Sequence, residues 1–237
     1  VRAGDESVIA MFDPATTITK KFVRLTDRVT LRNGQVCFDG DVLDDSVTKA
    51  IVSAIEEGTD DWAPLVNFIE KLYQNPNEHS RKQLYRWLAT HKFTIAADGD
   101  ILGYKGVSDE LKSIHAGSAI VDGEAVSGNI PNKIGSVIEM PRSEVQFDPS
   151  VGCHTGLHIG TWGYARGFTS GKVLLVKFNP RDIVSVPTDC SDAKVRVCRY
   201  KVVEERTGPL AEEVVAWRYD ETFAVDDLFE ATDNLTE

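Results

Sequence analysis

The sequence predicts an α+β protein in which a small N-terminal hairpin and a three-helix layer precede a mixed, mainly antiparallel split sheet. Three observations lead there. Apolar residues recur with a period near 3.6 between Ser46 and Leu88, short alternating or continuously apolar runs dominate from Phe93 onward, and Asn-Gly and Asp-Gly turn signals sit between such runs. With 237 residues and 42% hydrophobic content, the chain is long enough to bury a proper core without a covalent staple.

Residues 1–20 show no sustained period and read as a mobile arm. KFVRL at 21–25 and VTLRNGQVCF at 29–38 follow, and Asn33-Gly34 between two strand-like arms is a strong hairpin signal. From Ser46 the spacing of Val47, Ile51, Ala54 and Ile55 gives a first helix ending at Gly58. A second runs from Trp62 to Tyr73, with Leu65, Phe68, Ile69 and Leu72 as its buried stripe and Asn75-Pro76 as its stop. Ser80-Arg81-Lys82-Gln83 reads as a capping box opening a third helix that buries Leu84, Trp87 and Leu88.

Phe93–Ile95 and Ile101–Val107 flank a second hairpin signal, Asp98-Gly99. Gly103 and Gly106 within the second arm point to close approach by another backbone. Residues 108–150 are the least regular part, with short strands expected at Ala119–Val121 and Val137–Met140. Gly160–Phe168 suggests a short helix. Lys172–Phe178, almost continuously apolar, reads as a central strand. Asn179-Pro180-Arg181-Asp182 is a turn before Ile183–Val186, and Val195–Val203 alternates as one strand with a solvated face. These elements divide the chain into an arm at 1–20, a hairpin plus helical layer at 21–100, a β-rich domain at 101–205 and an acidic tail at 206–237.

Charge and cysteine usage narrow the function classes. The formal charge is -11, and residues 206–237 hold nine Asp or Glu against Arg206 and Arg218. An acidic chain without a basic stripe is poorly suited to a phosphate backbone, so direct nucleic-acid binding is not expected. Four cysteines without a CxxC pair argue for a reducing, cytoplasmic setting over a secreted disulfide framework. The start, VRAGDESVIAMFDPATT, has neither the basic nor the apolar run of a signal peptide, and a first residue other than Met places the natural start upstream or removes it.

Chemistry-bearing residues concentrate in Gly152–Tyr200. Cys153, His154 and His158 are candidate zinc donors, but C-H-x3-H falls short of a four-ligand pattern and a buried cysteine with hydrogen-bonded histidines fits better. Cys153 with His158 would be the nucleophile pair of a thiol enzyme, and no third orienting group is evident. Asp189 and Asp192 lie in a turn where carboxylates usually bond their own backbone.

The runs ADGDILGYKGV, CHTGLHIGTWGYARGF and VLLVKFNPRDIVSVPTDCSDAKVRVCRYKVVEE, with FIEKLYQNPNEHSRKQLYRWL before them, resemble the phage rIIB-like family over about residues 22–205. The resemblance implies a phage early protein that counters host or prophage exclusion or early lysis. It also implies work by protein-protein interaction in the host cytoplasm or at the inner face of the host membrane, with an rIIA-like phage protein or a host defence component as partner, self-association being a further option. No catalytic residues or cofactor come with it. The acidic tail is the expected adaptable contact.

A second, fainter likeness is to ADP-ribosyltransferase folds. Tyr104-Lys105-Gly106 stands where those enzymes end a strand in His-Gly, and His158 stands where they place a tyrosine before the helix that carries Tyr164. Their glutamate would be Asp189 or Asp192. That likeness implies an NAD-like nucleotide pocket formed by Tyr104, Lys105, Gly106, His154, His158, Tyr164 and Asp189, with catalysis lost through the exchanged residues.

Overall fold

The structure is a computed structural model that describes residues 28–32, 35–43, 62–90, 94–169, 171–189, 191, 193–211 and 215–216. The expected arm at 1–20, the KFVRL segment, the helix ending at Gly58 and the Asn33-Gly34 turn itself lie outside these residues.

Strands β1 (Val29–Arg32), β2 (Gln35–Phe38) and β3 (Asp41–Val42) form a small antiparallel sheet, with Arg32 opposite Gln35 as a two-residue turn requires. Asp39 and Gly40, at φ 50° and 91°, make the next turn. Phe38 is fully buried and its ring meets that of Tyr73, which fastens this sheet to the helices.

Helix α1 (Trp62–Tyr73) has the predicted bounds, and its stripe of Leu65, Phe68, Ile69 and Leu72 is buried. Helix α2 (Glu78–Thr90) begins two residues before the expected capping box. The cap is Asn77, whose side-chain oxygen accepts from the backbone N–H groups of His79 and Ser80. Ser80 and Gln83 are therefore released for tertiary work. Ser80 Oγ donates to the Val184 carbonyl, and Gln83 Oε1 accepts from the Val186 N–H.

The main sheet begins with β4 (Thr94–Ala96) and β5 (Ile101–Val107). Gly99 in the turn between them has φ 86°, and a Cβ there would stand 2.3 Å from the Phe68 nitrogen, so both backbone conformation and helix contact demand glycine. Next come β6 (Lys112–Val121), β7 (Glu124–Pro131), β8 (Val137–Glu139), β9 (Leu157–Gly160), helix α3 (Trp162–Phe168), β10 (Lys172–Phe178), β11 (Ile183–Ser185), β12 (Lys194–Val197), β13 (Arg199–Arg206) and β14 (Val215–Ala216). The strand order β11-β12-β9-β5-β10-β13-β8-β6-β7 is antiparallel throughout, and β14 adds to β4 in parallel.

As expected, β10 is central, between β5 and β13. On its other side β5 pairs first with β4, through Ile101 and Leu102, and then with β9, through Tyr104. The sheet forks at this point, as the expected split requires.

Three differences from expectation have clear causes. The region 108–150 holds a long hairpin, β6–β7, whose type I′ turn is Asp122-Gly123 at φ 51° and 89°. The expected strand Val195–Val203 is two strands. Cys198 breaks it, its N–H donating to the Asp182 carbonyl and its own carbonyl accepting from Met140, so β12 pairs with β9 and β11 whereas β13 pairs with β10 and β8. The face of β12 expected to be solvated is buried instead, with Lys194 and Arg196 inside. Within the segment from 206 onward, Val215–Ala216 form β14.

Asn75, buried in the stop after α1, holds helices to sheet. Its side-chain amide donates to the carbonyls of Pro180 and Ile183 and its oxygen accepts from Arg142. Asn75→Ala removes three tertiary hydrogen bonds from a buried position, while Arg142 keeps its bonds to the Arg181 and Ile183 carbonyls, and urea unfolding is expected to show a loss of about 1–3 kcal/mol.

Candidate functional site

A cavity of about 400 Å³ opens between the β6–β7 hairpin, α3, the loop 153–156 and the inner faces of β5, β9, β12 and β13. That volume lies within the range of small-ligand sites. Each wall is placed by a local feature of the chain.

On β5, Gly106 lets α3 lie directly against the strand, for a Cβ there would meet the Ala165 carbonyl oxygen at 2.5 Å. Thr161 caps α3 by accepting from the Tyr164 N–H, and Thr169 ties its end to the Val107 carbonyl. Tyr164 stacks on Phe168 and presents a flat aromatic surface. Across the mouth, His115 of β6 meets the Phe168 ring edge-on at 5.6 Å. His115 stands at an irregularity of β6, where the ladder register shifts between Lys112 and Ala116 and Asn129 bonds the Ser113 carbonyl instead.

The sequence-predicted residues have different fates. Lys105, Gly106, His154, His158 and Tyr164 all line this one cavity, as does Cys153. Tyr104 touches the wall, but its ring packs edge-on against Trp162 and with the Leu102 and Leu175 cluster, and its hydroxyl accepts from the Leu210 N–H. Asp189 does not line the cavity. It pairs with Lys194 at 2.8 Å beneath Gly152. Asp192 lies outside the described residues. Among the described residues no group of three His, Cys, Asp or Glu side chains is placed to hold a metal ion.

His158 is held in one state. Its Nε2 accepts from Arg196 Nε at 3.2 Å, so the ring proton sits on Nδ1, and burial, reinforced by the charges of Lys105, Arg196 and Lys194, pushes its pKa down to about 3. A histidine whose acceptor nitrogen is already occupied is poorly placed to take a proton from Cys153.

Sequence reasoning missed Arg196, the hub behind the cavity. Fully buried, it donates to the carbonyls of Asp148, Val151 and Gly152 and to Ser185 Oγ, and so fixes the loop that carries Cys153 and His154. In the sequence its only trace is a basic residue between two valines of a strand.

Lys105 is the group that stands apart. The buried lysines Lys177 and Lys194 each pair with an aspartate, Asp98 and Asp189, at 2.8 Å. Lys105 has no carboxylate near it among the described residues. Its Nζ donates to the His158 carbonyl at 3.2 Å and lies 5.4 Å from the centre of the Tyr200 ring, and burial alone pushes its pKa down to about 8.

Among the described residues no helix is long and apolar enough to cross a membrane. No solved structure matches the chain, so the likeness to ADP-ribosyltransferase folds finds no support there. A family model described as Bacteriophage T4 protein rIIB matches residues 3–216. Protein rIIB of Enterobacteria phage T4 is 31% identical over 181 residues, which cover 76% of this chain and 54% of that protein, so the chain spans about half the length of the curated relative it matches. With sheet, helices and loop segments all inside the matched region, this chain belongs to the phage rIIB family.

Proposed function

We propose that the chain counters host or prophage exclusion during phage infection through protein-protein contacts rather than through catalysis. The observation that carries this reading is membership of the rIIB family over residues 3–216. The cavity supports the second half of the statement, because no Asp or Glu lines it among the described residues and His158 is engaged by Arg196. An rIIA-like phage protein or a host defence component is the proposed partner, met in the host cytoplasm or at the inner face of its membrane.

The test is genetic. Phage lacking this gene is expected to plate normally on a prophage-free host and poorly on a restrictive lysogen, with plating restored when the chain is supplied. Equal plating on both hosts removes the exclusion role. A chain ending at Ala216 keeps β14 and drops most of the acidic residues after 206. It is expected to fold but to lose its partner in crosslinking from infected cells, and unchanged partners would clear those residues of any role in contact.

A second reading, that the cavity holds a ligand such as an NAD-like nucleotide, is favoured by one observation. Lys105, Gly106, His154, His158 and Tyr164, scattered over sixty positions of sequence, converge on one concave surface.

A further inference from the structure

We infer that the cavity is a binding site for a small organic anion, a carboxylate or phosphate carried on a flat apolar body, with the Lys105 ammonium as its anchor. The inference rests on the ligand-binding reading of the cavity and is independent of the exclusion role.

Charge balance is the first argument. In a protein of net charge -11, the described lining residues include two lysines and three histidines and no carboxylate. Lys194 is neutralised by Asp189, which leaves the Lys105 cation without a counter-charge among the described residues. Holding a cation partly away from water without a counter-charge costs folding free energy, and the buried Lys177 and Lys194 avoid that cost. A ligand anion supplies the missing charge.

Geometry is the second. An ammonium has three N–H donors, and the His158 carbonyl takes one. The Tyr200 face and Gly106 flank the same group, and the Tyr200 hydroxyl is already committed to Asn132. Donors of Lys105 thus remain for an occupant of the cavity.

The rest of the wall gives the anion its carrier. Ile130, Ile138, Met140 and Leu157 make an apolar floor, and the stacked rings of Tyr164 and Phe168 make a flat side. Such a surface fits a single aromatic or heterocyclic ring better than a hydrated inorganic ion.

The experiment is calorimetric titration of the full chain with benzoate, phenyl phosphate, their neutral isostere benzamide, and inorganic phosphate, repeated with Lys105→Met. Benzoate or phenyl phosphate is expected to bind, benzamide and inorganic phosphate at least about tenfold more weakly, and Lys105→Met to lose the difference between benzoate and benzamide. Which ring compound binds more tightly separates a carboxylate from a phosphate ligand. Lys105→Met serves as its own folding control, since removing a partly buried charge at similar volume is expected to keep or raise the thermal midpoint. Equal binding of benzamide, or full affinity in Lys105→Met, overturns the anion assignment while leaving a ligand site. Silence from every probe at millimolar concentration overturns both.

Discussion

Arg196→Ala is expected to destabilise the protein by about 3–5 kcal/mol in urea unfolding, the largest effect of any single substitution considered. The guanidinium is fully buried and serves the carbonyls of Asp148, Val151 and Gly152, Ser185 Oγ and His158 Nε2 at once. Alanine removes all of these bonds and opens a void beside Gly156, whose nearest neighbours include the Arg196 stem. Limited proteolysis should then cut within 146–156 faster than in the parent. Arg196→Lys is expected to recover little, because a single ammonium lacks the planar fork that reaches all five groups. A parent-like midpoint and cleavage pattern in the alanine variant would mean that the loop is held by something else.

The second large effect is acid sensitivity set by His158. Its folded pKa is about 3 against an ordinary 6.5, so below 6.5 the unfolded chain takes up a proton that the folded chain refuses. The contribution is fully present above pH 6.5 and is lost as pH falls toward 3, at up to about 1.4 kcal/mol per unit. Between pH 6 and 4.5 the expected loss is about 2 kcal/mol. Asp100 and Asp182, whose carboxyl groups are raised mainly by burial, act in the opposite sense as pH falls, and Asp98, lowered by its lysine partners despite burial, acts with His158 only nearer its own range. His158→Gln, which still offers Arg196 an oxygen, separates these contributions. Its stability should stay flatter over that window, and a slope equal to the parent's would place the acid sensitivity elsewhere.

What was legible in the sequence follows the strength of the local signal. Helix α1 and strands β5 and β10 have their predicted bounds because their apolar periods are long and uninterrupted. The β6–β7 hairpin was read only at its end, since most of β6 is exposed and its composition, KSIHAGSAIV, carries small polar residues in place of an alternating apolar face. Its Asp122-Gly123 turn was the available signal. The break at Cys198 left no local mark, because it arises where the chain passes from the β9 side of the sheet to the β10 side and meets different neighbours. For Ser80 and Gln83 the residue types suited a cap, and tertiary hydrogen bonds to the chain around β11 claimed them.

For the cavity, the candidate residues were visible as types but their roles were not. Lys105 and His158 meet through a backbone carbonyl, which no side-chain motif encodes. The pairing of Asp189 with Lys194, which turns a suspected ligand group into a neutralising one, depends on the burial of β12 and was invisible to an alternating pattern.

Strand β14 carries a consequence for the order in which the protein is made. Its parallel partner β4 is synthesised in the first half of the chain, yet Ile95 and Ala96 must wait for Val215 and Ala216. Until then a nascent or prematurely terminated chain presents the outer side of β4 as an open edge, and such edges pair with whatever strand is nearest. Translation that stalls before Val215 would therefore yield molecules with nearly every core residue in place and with β4 as one more strand edge open to wrong pairing.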